Sequence, residues 1–316
     1  MTIDSQGNKV YHIGAMLGNV YTAHPKEIIH GIYCAASRYN VNLDFFLGTQ
    51  SNSFYKGLAG AASSLFFDYQ FNTVYDFSKF CGLDALIISY GTLCIYLSDP
   101  AKDDFLNRFS DIPRVVLEER AYGDNTTYII SDNYNGMAAV VEHLITVHNC
   151  RHLLHISGPG NNTDANERKK AFKDTLEKFR IPYSEDLVLE GDYTQYIDRE
   201  VALFLKKHPD ADAICAANDD MAVSACRAIR ALGKVPGVDI AVTGYDNAGV
   251  SMSSNPMITT VEQNGYEMGF AAFEEAMRLC EGREPKQIVL DSAPLFRESC
   301  GCKNKGCLEQ YTSATG

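Results

Sequence analysis

The chain has 316 residues, about twice an average domain, so two lobes or one large α/β unit is the starting expectation. Hydrophobic residues make up 46% and charged residues 22%, which excludes a disordered or fibrous chain. The 28 basic and 40 acidic side chains give a formal net charge of −12. That balance repels phosphate backbones, and no local basic patch offsets it, so nucleic acid is not an expected partner. No apolar stretch approaches the roughly 18 residues of a membrane-spanning helix. The first ten residues hold no apolar signal-peptide core, so the expected location is the cytoplasm, away from any membrane.

Strand-like runs and amphipathic stretches alternate along the chain. Strands are predicted at 10–17, 43–47, 85–89, 114–117, 128–130, 153–157, 187–189, 213–216, 240–243 and 287–290. Helices are predicted at 26–39, 135–147, 166–179, 199–207, 221–232 and 266–281. The first helix places Ile28, Ile29, Ile32, Ala35, Ala36 and Tyr39 on one face. Such alternation implies right-handed crossovers and parallel sheets covered on both faces. Ten strands exceed one compact unit, so the fold class is α/β with two doubly wound parallel-sheet lobes of five or six strands each.

In open α/β sheets, ligands collect beyond the carboxyl ends of the strands. Those positions hold Gly18 to Thr22, Ser89 and Tyr90, and Glu118 in the first half. In the second half they hold Ser157-Gly158-Pro159, Asp192-Tyr193, Asn218-Asp219-Asp220 and Gly244-Tyr245-Asp246-Asn247. Carboxylates, amides, hydroxyls and tyrosines suit a ligand that is rich in hydroxyls and carries a flat face. Loops are polar in any case, so the joint pattern, rather than any single residue, points to a binding cleft.

Signs of catalysis are missing: there is no nucleophile elbow, no phosphate-binding P-loop and no H-E-x-x-H helix. Gly158-Pro159-Gly160 follows a strand but lacks a third glycine, and Pro159 removes an amide donor, so no dinucleotide cofactor is expected. Glu118 and Glu119 are adjacent on a strand and point to opposite faces. The ten cysteines are spread thinly, apart from Cys300, Cys302 and Cys307. This group lacks a fourth ligand and the usual zinc spacing, and His143, His148, His152 and His155 straddle a helix, a turn and a strand. No metal site is expected from either group.

The ordered motifs nevertheless resemble a known family. Ser131-Asp132-Asn133-Tyr134-Asn135-Gly136, His152 to Pro159, Asn166-Glu167-Arg168 and Ala217 to Ala222 are similar to the ligand-binding domain of the lactose/galactose-repressor family. The likeness is strongest in Val242 to Asn247 and in Thr259 to Gln263, and it spans Tyr11 to Leu295 in order. The resemblance implies the type I periplasmic-binding-protein fold, with two lobes joined by three crossovers. It divides the chain into a first lobe at 10–130 plus 264–290 and a second at 131–263 plus 291–302, with 303–316 as a tail or linker to an output domain.

The resemblance also implies ligand contacts. Arg168 matches an arginine that donates to hydroxyls or carboxylates, Asn218 a contacting amide, and Asp246 a carboxylate that accepts from sugar hydroxyls. Gln263 matches a residue at the pocket edge, Glu118 an acidic or polar contact, and Tyr193 an aromatic wall. Tyr21 and Thr22 lie in the first-strand loop, and Tyr90 follows the third strand. The bland alternatives are a solvated helix charge at Arg168 and a capping role at Asp246.

Only about nine residues precede Val10, where the family's repressors carry a helix-turn-helix, so direct operator binding by this chain is not expected. The ending Phe296-Arg297-Glu298-Ser299-Cys300-Gly301-Cys302 resembles sensor domains fused to signalling modules such as diguanylate cyclases. The expected function is a non-catalytic sensor in which a small polar ligand, sugar- or nucleoside-like, closes the lobes and regulates a signalling or transcription output. The alternatives are an exported solute-binding protein of a transporter and a two-lobed α/β hydrolase. The segment 51–82 is rich in aromatics, including Phe54, Tyr55, Phe66, Phe67, Tyr69, Phe71, Tyr75, Phe77 and Phe80. Such a patch predicts a homodimer through the first lobe.

Overall fold

The computed structural model describes residues 2–3, 7, 9–49, 72–95 and 97–302. Phe54, Tyr55, Phe66, Phe67, Tyr69 and Phe71, together with Cys307 and the tail, lie outside the described residues. The chain forms two compact units. Unit 1 comprises Met1–Ser131, Asn161–Asp164 and Asn264–Leu290; unit 2 comprises Asp132–Gly160, Ala165–Gln263 and Asp291–Gly316.

Unit 1 begins with β1 (Thr2–Ile3), β2 (Lys9–Gly18), α1 (Ala23–Ala36) and β3 (Val41–Gly48). It continues with the short helices α2 (Thr73–Phe77) and α3 (Tyr90–Leu93) on either side of β4 (Ala85–Ser89), then α4 (Asp99–Asn107), β5 (Arg114–Leu117) and β6 (Thr126–Ser131). Its last helix is α10 (Gly265–Cys280), followed by β12 (Ile288–Leu290). Six strands pair in parallel in the order β3-β2-β4-β5-β6-β12, and β1 runs antiparallel to the start of β2, making seven.

Because side chains alternate across a strand, each strand feeds two cores. Ile13, Ala15, Leu17, Ile87, Val115 and Ile129 face α1 and α10. Met16, Leu86, Ile88, Val116 and Ile130 face Tyr75, Phe105 and Phe109 on the other side. Burial on both faces explains why these strands read as continuous apolar runs rather than alternating ones. Of the aromatic segment, Tyr75 is buried in this second core, whereas Phe77 and Phe80 are exposed. The helix α4 was not predicted: Asp99, Asp103 and Asp104 dilute its apolar face, which rests mainly on Phe105 and Leu106.

Unit 2 contains α5 (Asn133–Thr146), β7 (Leu153–Ser157), most of α6 (Thr163–Lys178), β8 (Val188–Glu190) and α7 (Asp198–Lys207). It also holds β9 (Ala213–Ala216), α8 (Asp219–Ala231), β10 (Ala241–Thr243), α9 (Gly249–Ser253), β11 (Thr260–Val261) and β13 (Pro294–Leu295). Its main sheet is parallel, in the order β10-β9-β7-β8, and β11 and β13 form a separate antiparallel pair. Among the described residues, the expectation of two sheets of five or six strands is therefore corrected to sheets of seven and four. The difference arises because β1 and β12 join the first sheet, while β11 and β13 pair with each other apart from the second. Leu154, Ile156, Ile214 and Val242 face one core, and Leu153, Ala213 and Cys215 face the other.

The closest approach in unit 1 is between α1 and α10. A methyl group on Gly31 would fall 2.0 Å from the Tyr266 carbonyl oxygen, and one on Gly269 would fall 2.0 Å from the Ile28 carbonyl oxygen. Only hydrogen fits at these two positions, and the helix backbones meet there. Gly269→Ala is expected to lower the stability of unit 1 by about 1–3 kcal/mol through overpacking. Gly160→Ala, in unit 2 at a site with no heavy atom within 4 Å, should change the stability of that unit by no more than about 0.5 kcal/mol. Urea unfolding followed by circular dichroism distinguishes them, and equal stability of the two variants would contradict the close packing.

Candidate functional site

Both sheets end in polar turns, and the backbone there is unusual. Among the described residues nine non-glycine positions have positive φ, and five of them lie just past carboxyl ends of sheet strands. These are Asn19 after β2, Glu118 after β5, Tyr193 after β8, and Asp246 and Asn247 after β10. Such left-handed backbone is costly for residues with a Cβ and concentrates where side chains are aimed for function. Glu118, Tyr193 and Asp246 are all residues expected from the strand-end argument.

In unit 2 the expected residues are linked in two pairs, Arg168 with Asp246 and Asn218 with Tyr193. Arg168, on α6, is 2% exposed, and its guanidinium plane sits 3.6 Å over the Tyr245 ring. Its Nε donates to Asn133 Oδ1 at 2.8 Å, and its Nη1 donates to the Ala217 carbonyl at 2.6 Å and to Asp246 Oδ1 at 3.3 Å. A buried guanidinium needs such partners, because an unpaired buried charge is strongly destabilising. Arg168 is therefore not a solvated helix charge. Asp246 sits at φ 101° and retains 24% side-chain exposure, so one carboxylate is held by Arg168 and also reaches solvent.

Asn218 caps α8: its Oδ1 accepts from the Met221 backbone N–H at 3.0 Å, and its Nδ2 donates to the Tyr193 carbonyl at 3.2 Å. Tyr193 lies over Gly158, where a Cβ would come within 2.4 Å of its ring carbon Cζ. The next residue on α8, Asp219, is fully buried and accepts from Thr260 Oγ1 at 2.6 Å and from the Ala248 N–H at 2.8 Å. Burial, reinforced by the Asp246 carboxylate, pushes its carboxyl well above the usual range. Gln263 is 9% exposed at the end of the segment that follows β11. A separate polar cleft of about 180 Å³ is lined by Ser157, Gly158, Asn166, Lys169, Glu185 and Glu190, among others, and neither Arg168 nor Asp246 lines it.

In unit 1 the hub is Glu118. Its Oε1 lies 3.1 Å from His24 Nε2 and accepts from Thr92 Oγ1 at 2.9 Å; its Oε2 accepts from Ser89 Oγ at 3.0 Å and from the Thr92 N–H at 2.7 Å. An ionised carboxylate only accepts, which assigns the His24 proton to Nε2. Burial would raise the carboxyl pKa and is the largest influence. The His24 hydrogen bond and charge, with the Thr92 donors, outweigh it and leave the pKa lowered. Thr22 starts α1, with its hydroxyl donating to the Asn19 carbonyl at 2.9 Å, and Tyr21 is 89% exposed beside it. Tyr90 points the other way. It is buried, and its ring stacks on Phe105 inside the second core of unit 1.

Sequence reasoning missed His24 and Asn133, which hold Glu118 and Arg168. Asn133 was visible directly after the cap residue Asp132, but nothing in sequence says that it meets Arg168, 35 positions away. The structure also corrects the expectation that the histidine and cysteine groups hold no convergent ligand set. His143, His148, Cys300 and Cys302 meet in unit 2, with all four ligand atoms within 4.8 Å of one another.

A family profile described as a periplasmic binding protein-like domain matches residues 141–300. The chain belongs to this family. The chain is 33% identical over 185 residues to the HTH-type transcriptional regulator CelR of Thermobifida fusca, covering 56% of this chain and 52% of that protein. It is 31% identical over 162 residues to the ribose operon repressor of Halalkalibacterium halodurans, covering 50% and 47% respectively. The chain thus spans about half the length of the curated relatives it matches.

Among solved structures, the CelR–cellobiose complex superposes with a TM-score of 0.74 at 23% identity, covering 91% of this chain and 84% of that one. The transcription regulator CcpA of Lactococcus lactis gives 0.74 at 19% identity, covering 92% and 99%. These likenesses bear out the α/β periplasmic-binding-protein fold, and the profile match with the sequence identity to CelR bears out the lactose/galactose-repressor resemblance. Among the described residues, no helix is long and apolar enough to cross a membrane.

Because the Glu118 carboxyl has a lowered pKa in the fold, its contribution to stability is present above the ordinary glutamate pKa and is lost as pH falls through the folded value. Glu118→Gln is expected to cost unit 1 about 1–3 kcal/mol at neutral pH, because an amide cannot accept from all four donors. The difference from the native chain should shrink below about pH 4. Urea unfolding across a pH series checks this, and a difference that stays constant down to acid would remove Glu118 as an ionised hub.

Proposed function

We propose that this chain is the sensory domain of a regulator. It binds a small polar molecule, of the sugar or nucleoside class, and passes the binding state to a transcription or signalling output without catalysing a reaction. The observation that carries this reading is the Asp246 arrangement: a partly exposed carboxylate at φ 101°, held by the buried Arg168. A carboxylate so fixed accepts two hydroxyl donors without first being ordered, which is how a few polar groups set ligand orientation in a binding site. Tyr193, whose carbonyl accepts from Asn218, is the candidate flat face, and Asn218, Tyr21, Thr22, Glu118 and Gln263 are the further candidate contacts. Tyr90 is a weaker member of that group, because its ring is committed to the core.

The relatives support the same reading. CelR is a transcriptional regulator whose solved complex contains cellobiose, and another relative is a ribose operon repressor. A regulator reading is therefore favoured over an exported solute carrier or a hydrolase. Pairing of two chains through unit 1 remains part of the proposal, as does the absence of direct operator contact by these residues.

The test is calorimetric titration of the purified chain with a panel of mono- and disaccharides, nucleosides and purines. At least one is expected to bind, and Asp246→Ala should weaken it about 10- to 100-fold, because ligand donors and Arg168 lose their acceptor. A ligand that binds Asp246→Ala as tightly as the native chain would place recognition elsewhere.

A further inference from the structure

The cluster of soft donor groups in unit 2 lies outside the candidate ligand-binding residues. His143 is on the last turn of α5, and His148 follows directly after that helix ends. Cys300 closes a short 3-10 turn, Glu298–Cys300, and Cys302 is two residues on. His143 Nε2 and His148 Nε2 are 3.1 Å apart. Cys302 Sγ is 3.3 Å from the first and 3.4 Å from the second, and Cys300 Sγ is 3.8 Å from His143 Nε2.

A tetrahedral zinc ion with Zn–N of about 2.05 Å and Zn–S of about 2.3 Å requires N···N near ~3.3 Å, N···S near ~3.6 Å and S···S near ~3.8 Å. The four observed separations fall within about 0.3 Å of those values.

The surroundings hold the ligands in this arrangement. The Phe296 ring stacks on His143 at 3.8 Å between centroids and 19° between planes, which fixes the imidazole. Gly301 separates the two cysteines at φ 97°, a left-handed backbone that glycine adopts without strain. A Cβ there would sit 3.4 Å from His148 Nδ1, so the turn and the imidazole lie against each other.

We propose that His143, His148, Cys300 and Cys302 form a closed tetrahedral site for zinc(II). Four protein ligands leave no open position, which is the signature of a structural rather than a catalytic ion. The donor set of two sulfurs and two imidazoles suits zinc. On binding, the two thiols release their protons to solvent, and two thiolates then balance the charge of one divalent ion, with both imidazoles neutral. The ion pins residues 294–302 to the end of α5. That segment carries Arg297, which donates to Asn247 Oδ1 at 2.6 Å, next to Asp246.

The test uses the full chain, reduced and stripped of metal, titrated with cobalt(II) and then zinc(II). One cobalt per chain is expected, with the intense visible absorption of tetrahedral cobalt and sulfur-to-cobalt charge transfer in the near ultraviolet, both abolished by zinc. Cys302→Ser and His148→Ala should each weaken binding at least about 10-fold, since losing even an outer partner of a ligand costs about that much. His148→Cys should keep a tetrahedral spectrum with stronger charge transfer, which separates a ligand role from a folding defect. Cys81→Ser and His152→Ala should bind like the native chain. Absence of sulfur-to-cobalt charge transfer in the folded, reduced chain would overturn the proposal. So would a native spectrum in the Cys300→Ser/Cys302→Ser double variant, or a Cys300–Cys302 disulfide in chain purified with zinc present.

Discussion

Parallel strands covered on both faces leave a polar side chain almost nowhere to go except the strand ends. In both units the central strands, β4 and β5 in the first and β7, β9 and β10 in the second, are buried end to end, with four separate apolar cores filling the space on either side of the two main sheets. A charged group placed mid-strand would be desolvated without partners, at a cost of several kcal/mol. The carboxyl-end turns are therefore where carboxylates, amides and hydroxyls accumulate, and where the backbone takes up left-handed conformations to aim them. The candidate site is a direct consequence of the sheet architecture rather than an addition to it.

The two units meet the same problem with opposite charges. Unit 1 buries an anion, Glu118, among donors from three different elements, and those donors keep it ionised against the pull of desolvation. Unit 2 buries a cation, Arg168, between an amide, a carbonyl, a carboxylate and an aromatic face. In each case the charged residue joins the end of a strand to a helix from a different part of the chain. Removing one partner would strand the other, which ties local stability to the groups proposed to meet ligand. Asp246 differs from Glu118 in retaining exposure, and that difference makes it the group proposed to accept from a bound molecule.

The last described segment, 291–302, returns to unit 2 after α10 and β12 have completed unit 1. It pairs β13 with β11, inserts the guanidinium of Arg297 between Ser251, Ile258 and Asn247, and brings two thiols to two imidazoles. Beside the Phe296 ring stacked on His143 and Cys300 in the apolar core, many of its contacts are polar and specific. A segment held this way depends on a few interactions of defined geometry, so its attachment is sensitive to each of them.

The sequence by itself determined the alternation of strands and helices, because apolar runs of four to ten residues separated by amphipathic stretches have few other ways to bury themselves. It also determined which turns carry the polar groups, since a strand end can be read from where an apolar run stops. Glu118, Asn218 and Asp246 were legible for that reason, whereas Arg168, on a helix, was legible only through the family resemblance. Only the tertiary structure decided which way those side chains point and whom they meet. Tyr90 follows a strand end as Asp246 does, yet its ring turns into the core beside Phe105. The strand count of each sheet was likewise undecided until β12 and β11 found their partners. The histidine and cysteine groups show the same limit most clearly: each looked incomplete in sequence, and the fold joins them across 157 positions. Periodicity is a local property that hydrophobic burial enforces, whereas convergence of distant polar groups depends on how the elements pack, which no local pattern encodes.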